Sequence, residues 1–321
     1  MHLHDSEMMS ASARWDEVLS CLTEAIGPGP RRVVIDGYQH ADWFADRLSA
    51  ALPPGGHEIA VADGTGPPEG GIVVWLRTPP PQHAPHGHHR RDAAIVVDLH
   101  DTGWPVIRHI DPALAHHDSW YLAETRAFFA ARAAVWDIRF GDDHPAYARA
   151  VADLGVPAGG VVVDVGCGTG RALPALRGAA GPTGTVIGLD VTAEMLATAR
   201  GQGRDRDAHL VLGDARRLPL RAGSVDAVFA AGLITHLPDA AAGLAELARV
   251  TAGGGRLALF HPSGRAALAA RHGRALEPDE PLAEHRLRDA LERTGWSLET
   301  YDDPPERFFA LATRRSSRPA D

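Results

Sequence analysis

The residues best suited to chemistry fall in one run, VVVDVGCGTGRAL at 161–173. An apolar strand delivers Asp164 to its end, and Gly166, Gly168 and Gly170 follow as a turn leading into a helix. Glycine lets a backbone turn sharply and lie against a ligand with no Cβ between them, and a helix N-terminus adds free N–H groups. A dinucleotide fingerprint spaces its glycines G-x-G-x-x-G. Here the third glycine arrives one residue early, and Arg171 stands in the expected place. An acid two residues before the first glycine suits a cationic, amino-acid-bearing ligand better than a pyrophosphate.

Further acids follow at strand ends. Asp190 closes TVIGLD, 20 residues after Gly170, where a carboxylate can accept hydrogen bonds from two ribose hydroxyls. Asp214 closes HLVLGD, placed to accept from the exocyclic amine of an adenine. Taken singly, Asp190 or Asp214 reads equally as a helix or turn cap. Together with the glycine turn they favour a ligand site at the carboxyl ends of parallel strands, beside the point where strand order reverses. His236, four residues past Gly232, and His261, at the end of the fifth strand, are candidate general bases. A structural role is the competing reading for both, such as a loop hydrogen bond for His261.

The elements that hold these residues alternate regularly from Val161. Strands are expected at 161–165, 185–190, 209–214, 224–232 and 256–262. Helices are expected through about Arg177, after a capping Thr192 with Glu194 in the first turn, and from Asp239. An insertion at 262–281 follows, then a helix bearing Leu287, Ala290 and Leu291, then WSLETY and RFFALAT as a terminal strand pair. This is a doubly wound α/β sheet.

VVVDVGCGTG, GLDVTAEML, LVLGDARRLPL, SVDAVFAAGLITHLPD and LAELARVTAGGGRLALFHP resemble the consecutive motifs of class I S-adenosylmethionine-dependent methyltransferases. The likeness is nearest to the group acting on small molecules and quinones, and it covers about residues 135–321. It implies a Rossmann-like seven-stranded methyltransferase sheet with S-adenosylmethionine as cofactor. By resemblance, the backbone of Gly166, Cys167, Gly168 and Gly170 holds the methionine end beside Asp164. Asp190 with Val191 meets the ribose, Asp214 with Ala215 lines the adenine, and Gly232 and Leu233 lie under the sulfonium side. Where many relatives have a lysine-proline-glycine-glycine turn, this chain has Ala252-Gly253-Gly254-Gly255. The segment AAGLITHLPD lacks the Asn/Asp-Pro-Pro-aromatic element of many enzymes that methylate exocyclic amines of bases. The implied acceptor is a small molecule, contacting the 262–281 insertion and the helices before Val161. Trp136, Phe140 and Tyr147 are candidate lid residues, with packing onto the core as the alternative. The alternative function is a non-catalytic or regulatory module that binds S-adenosylmethionine, with a partner-binding N-terminal domain.

Residues 1–134 form a smaller α/β domain in this reading. A helix at 13–26 precedes VVID (33–36), a helix at 41–52, and the runs EIAVAD, IVVWLR, AIVVDL and PVIRHI, expected as parallel strands. The stretch 13–52 faintly resembles the opening of uridine-kinase-like proteins. Tyr38-Gln39-His40 stands where their phosphate loop has glycines and a lysine, so the resemblance implies a degenerate kinase domain. A helix at 119–135 and another at 146–154 lead into the second domain. His83, His86, His88 and His89 lie in a Pro/Gly-rich loop beside Arg90 and Arg91, which oppose a divalent cation, and no metal site is assigned.

The composition narrows the function classes. With 32 basic and 41 acidic residues the formal charge is -9, against bulk nucleic-acid binding. No lysine occurs, which excludes lysine Schiff-base chemistry. Cys21 and Cys167 are too few and too far apart for a disulfide framework or zinc site. MHLHDSEMMS is no secretory signal, and no run approaches the ~18 apolar residues of a membrane span. A soluble cytoplasmic protein is expected, with no membrane association; its oligomeric state stays open.

Overall fold

A computed structural model describes residues 11–62, 71–78, 93–115, 119–206, 208–271, 276 and 278–316. The chain divides into two compact units, Met1–Glu124 and Thr125–Asp321, just upstream of the boundary expected near 135.

In the first unit, α1 (Ala11–Ile26) precedes β1 (Arg32–Gly37), α2 (Ala41–Ala51), β2 (Glu58–Val61), β3 (Ile72–Arg77), β4 (Ile95–Asp98) and β5 (Val106–Ile110). The sheet order is β2-β1-β3-β4-β5. The first four strands are parallel, but β5 runs antiparallel to β4, correcting the all-parallel expectation. Only seven residues separate them, far fewer than a parallel crossover requires. Val18, Leu22, Phe44 and Leu48, at helical spacing on α1 and α2, bury against Val33, Ile35, Val74 and Ile95 of the sheet. The buried Arg14 is neutralised by Glu124 and donates to the Pro105 carbonyl at 2.9 Å. Tyr38–His40 turns directly into α2, with His40 at a left-handed φ of 66°. The histidines at 83, 86, 88 and 89 lie outside the described residues.

The division between units falls within α3 (Ser119–Ala130), which ends five residues before the expected limit and gives way to a short 3-10 turn, Ala133–Val135. The second unit continues with α4 (Trp136–Phe140), α5 (His144–Leu154), β6 (Val161–Val165), α6 (Leu173–Ala180), β7 (Thr185–Asp190), α7 (Ala193–Gly201) and β8 (His209–Leu212). Then come β9 (Val225–Ala231), α8 (Ala240–Val250), β10 (Thr251–His261), α9 (Arg265–Arg271), α10 (Glu284–Arg293), β11 (Trp296–Asp302) and β12 (Phe308–Arg314). The seven strands are ordered β11-β12-β10-β9-β6-β7-β8, a Rossmann-like doubly wound sheet. Strands β6 to β10 are mutually parallel, and β12 pairs antiparallel with both β10 and β11.

Local chemistry explains these boundaries. Central β6 is covered on both faces, so it reads as an apolar run interrupted only by Asp164, whereas edge strand β8 is only half-buried. The Asp239 side chain caps α8 by accepting from the Ala242 N–H at 2.9 Å. Thr192 precedes α7 without a side-chain cap; its N–H instead donates to Asp190 Oδ1 at 2.8 Å. Ala252–Gly255 forms an irregularity inside β10 rather than a turn before it, since Thr251 already pairs with Val225. Trp296 is fully buried and donates its indole N–H to the Leu244 carbonyl at 3.0 Å, joining the terminal strands to α8. The insertion after β10 contains α9, which the sequence reading left without an element. Among the described residues no helix is long and apolar enough to cross a membrane.

Candidate functional site

The chain runs from β6 outward to β7 and β8, then returns to the other side of β6 with β9 and β10. The reversal lies between β6 and β9, and the carboxyl ends of these strands open the crevice where such sheets bind ligands. The glycine turn leaves β6 there, and Gly232 leaves β9. They are close: a Cβ on Gly166 would lie 3.1 Å from Leu233 Cδ1.

Gly166, Gly168 and Gly170 all adopt left-handed φ values of 73°, 55° and 80°, which a side chain disfavours. The N–H groups of Gly166 and Cys167 donate to the Leu189 carbonyl at 2.8 and 3.0 Å, and Gly170 N–H donates to the Cys167 carbonyl at 2.8 Å. The three glycines serve different needs. A Cβ on Gly170 would come within 2.8 Å of Leu173 Cδ1, whereas one on Gly168 would meet nothing within 4 Å. Gly170 is therefore required by packing, and Gly168 presents an open backbone face.

Asp164 is 2% exposed, and its Oδ1 has no hydrogen-bond partner in the structure. Burial, and then the neighbouring Asp190, push its carboxyl up to about 8. Asp190 is also buried and raised by that burial, but its oxygens accept from the Gly168 and Thr192 N–H groups, each at 2.8 Å. Val191 follows, with its carbonyl accepting from Arg126 Nε at 3.1 Å. The buried Cys167 thiol is pushed well above its ordinary range by the same burial, so it is a poor nucleophile. Gly213 N–H donates to the Asp190 carbonyl at 2.9 Å, drawing the loop after β8 to the loop after β7. Asp214 lies on that loop and accepts from the Arg216 N–H at 2.9 Å and from its guanidinium Nε at 3.0 Å. Ala215 beside it is buried.

Gly232 (φ 66°) lies against His261, whose Cδ2 is 4.0 Å from the position of a Cβ there. His261 Nδ1 lies 3.1 Å from the Ser263 nitrogen and 2.9 Å from its carbonyl oxygen. Burial, with a smaller contribution from Arg271, holds the imidazole below the usual histidine range. A cavity extends from here, lined by Gly232, Leu233, Ile234, His261, Leu268 and Phe308. His236 stands apart from it, its ring 5.1 Å from that of Phe129 and 6.4 Å from that of Phe128. Trp136 joins the same aromatic group, 5.5 Å from Phe129. Tyr147 packs instead on the core rings of Phe260 and Phe229, at 5.0 and 6.2 Å, so it takes the packing role of the two considered. The Phe140 side chain is outside the described set.

The sequence reading missed a cluster of charges over the turn. Asp137 in the first turn of α4 and Asp143 just before α5 meet Arg171 and Arg204 around Thr169. Arg171 in a glycine's place was the one local signal of it.

Residues 163–259 match the family model described as a methyltransferase domain. Over 101 residues the chain is 41% identical to an uncharacterized 37.1 kDa protein in a transposon of Streptomyces fradiae, covering 31% of this chain and 29% of that one. Over 116 residues it is 36% identical to the demethylmenaquinone methyltransferase of Staphylococcus aureus, covering 36% of this chain and 48% of that one. The chain thus spans less than half the length of these curated relatives. A solved chain from the complex between the Haloferax volcanii Trm112 methyltransferase activator and a methyltransferase aligns with a TM-score of 0.50. Its identity is 24%, over 58% of this chain and 97% of that chain, a likeness of fold.

Proposed function

We propose that this chain, whose C-terminal unit carries an S-adenosylmethionine-dependent methyltransferase domain, transfers a methyl group from that cofactor to a small-molecule acceptor. The observation that carries the reading is the pairing of an open glycine turn with a buried carboxyl, Asp164, whose Oδ1 has no partner in the protein. A buried carboxylate is costly unless a cation or a donor meets it. The ammonium group of the cofactor's methionine end is both.

The other residues fit the remaining parts. Each Asp190 oxygen accepts one backbone N–H and keeps acceptor capacity for the ribose hydroxyls. Asp214, oriented by Arg216, and the buried Ala215 would border the adenine, while Gly232 and Leu233 border the reacting side. The bound cofactor supplies a methyl group already activated by a sulfonium leaving group. The protein's task is then alignment and, for an acceptor that must lose a proton, a base. His261 is the better-placed base, because it borders the cavity beside Gly232 and burial favours its neutral form. His236, set against Phe128 and Phe129, would serve as part of an aromatic wall.

A small acceptor is favoured over nucleic acid by the net charge of -9 and by the apolar cavity lining. The name of the Staphylococcus aureus relative makes ring-hydroxylated quinols the first class to try. The test is incubation with S-adenosylmethionine and a panel of phenolic, quinol, amine and carboxylate acceptors, following S-adenosylhomocysteine. Acceptor-dependent formation supports the proposal. Tight cofactor binding with no turnover on any acceptor would favour a non-catalytic cofactor-binding module.

A further inference from the structure

We propose that Asp137, Asp143, Arg171 and Arg204 form a clasp that positions the glycine turn for the cofactor and slows cofactor exchange; this rests on reading that turn as the cofactor site. The pairs are Arg171 Nη1–Asp143 Oδ2 at 2.6 Å, Arg171 Nε–Asp137 Oδ1 at 3.3 Å and Arg204 Nη2–Asp137 Oδ2 at 2.9 Å. Arg171 also donates to the Gly141 carbonyl. The four side chains are between 5% and 20% exposed, so solvent screens them little.

Thr169 is the point of action. It lies between Gly168 and Gly170, both left-handed, in a stretch whose glycines leave the unfolded backbone free to take many other shapes. Both of its free polar groups are gripped from outside the turn. Its hydroxyl donates to Asp137 Oδ1 at 2.6 Å, and its carbonyl accepts from Arg204 Nη1 at 2.6 Å. The middle of the turn is therefore tied to a segment, 136–143, that precedes it by some thirty residues, and to Arg204 beyond it. Buried ion pairs add little net stability compared with apolar packing, so stability alone gives poor reason for four charges here. Geometry gives a better one: a flexible turn ordered in advance costs the ligand less to bind. Linkage makes the effect mutual, so a ligand that fixes the turn also fastens α4.

The roles divide accordingly. Asp137 and Arg204 hold Thr169 directly. Asp143 and Arg171 hold the 136–143 segment against the start of α6 and are positioning residues acting through Asp137.

The experiment measures the dissociation rate of S-adenosylmethionine from the full chain and hydrogen exchange over 136–144 with and without it. Asp137→Asn, Asp143→Asn and Arg171→Gln are compared with wild type and with Val151→Ala, which trims the buried side of α5 without touching the clasp. The clasp variants should release the cofactor about tenfold faster and lose the ligand-dependent protection of 136–144. Val151→Ala should lower the melting temperature while leaving both readouts as in wild type. Pairing Asp143→Asn with Arg171→Gln should add little to Arg171→Gln alone, because the Arg171 change already breaks the link to Asp143. Wild-type binding with clasp-variant rates within twofold of wild type overturns the clasp alone. No binding to the wild type overturns the cofactor reading and the clasp with it.

Discussion

Asp190 Oδ2 accepts a hydrogen bond from the Gly168 N–H at 2.8 Å, so the acid that ends β7 is tied to the open glycine of the turn that ends β6. The carboxylate proposed to meet the ribose and the backbone proposed to hold the methionine end are thereby fixed to one another by the fold itself. Its other oxygen takes the Thr192 N–H at the start of α7, so one carboxylate joins three elements.

Gly168 and Gly170 should respond differently to the same change. Gly168→Ala puts a methyl group into open space, at the cost of a left-handed alanine, about 1–2 kcal/mol. It should fold, with a melting temperature lower by only a few degrees, and lose most of its affinity for S-adenosylmethionine. Gly170→Ala drives a methyl group against Leu173 and should lose stability first. Parallel thermal melts and ligand titrations separate the two. Unchanged affinity in Gly168→Ala would put the ligand elsewhere.

Asp164 sets a pH dependence. Burial pushes its carboxyl up to about 8 in the folded chain from an ordinary 3.8, so between these values the folded state holds a proton that the unfolded state has lost. Stability from this group therefore falls as pH rises through that window. Asp164→Asn removes the titration. Comparing melts at pH 5.5 and 8.5, the variant should gain on wild type at the higher pH, while binding S-adenosylmethionine more weakly. Equal slopes for the two proteins would mean that Asp164 is already ionised and partnered.

His261 makes a kinetic prediction. Burial lowers its folded pKa, so at any given pH more of the imidazole is in the neutral, proton-accepting form than in an exposed histidine. With an acceptor that must lose a proton, the acid limb of a kcat limited by His261 should have its midpoint below the ordinary histidine value. His261→Gln should lower kcat by ~10²–10⁴-fold with cofactor affinity preserved. His236→Ala should instead raise the acceptor KM more than it lowers kcat, as expected of a wall residue among Phe128, Phe129 and Trp136.

Much of the second unit was readable in the sequence because its signals are local. The run VVVDV is a strand covered on both faces, Asp239 a cap beside the helix it starts, and the glycines a turn that few other residues permit. What escaped the reading depends on partners distant in sequence. The antiparallel course of β5 rests on its pairing directly with β4 across a seven-residue connection, and that pairing is made only in the fold. The pairing of Thr251 with Val225 extends β10 backward through a glycine irregularity that looks like a loop. Tyr147 has the composition of a lid and the surroundings of a core residue. The charges at Asp137, Asp143, Arg171 and Arg204 follow no periodicity, and only the folded chain brings them round Thr169.

The most direct test of the central claim is calorimetric titration of the full chain with S-adenosylmethionine, beside Asp190→Ala. The account predicts one site in the wild type and an affinity loss of more than about tenfold in the variant, since a charge-assisted hydrogen bond contributes roughly 1.5–3 kcal/mol. No heat of binding to the wild type, or equal affinity in the two proteins, would contradict it.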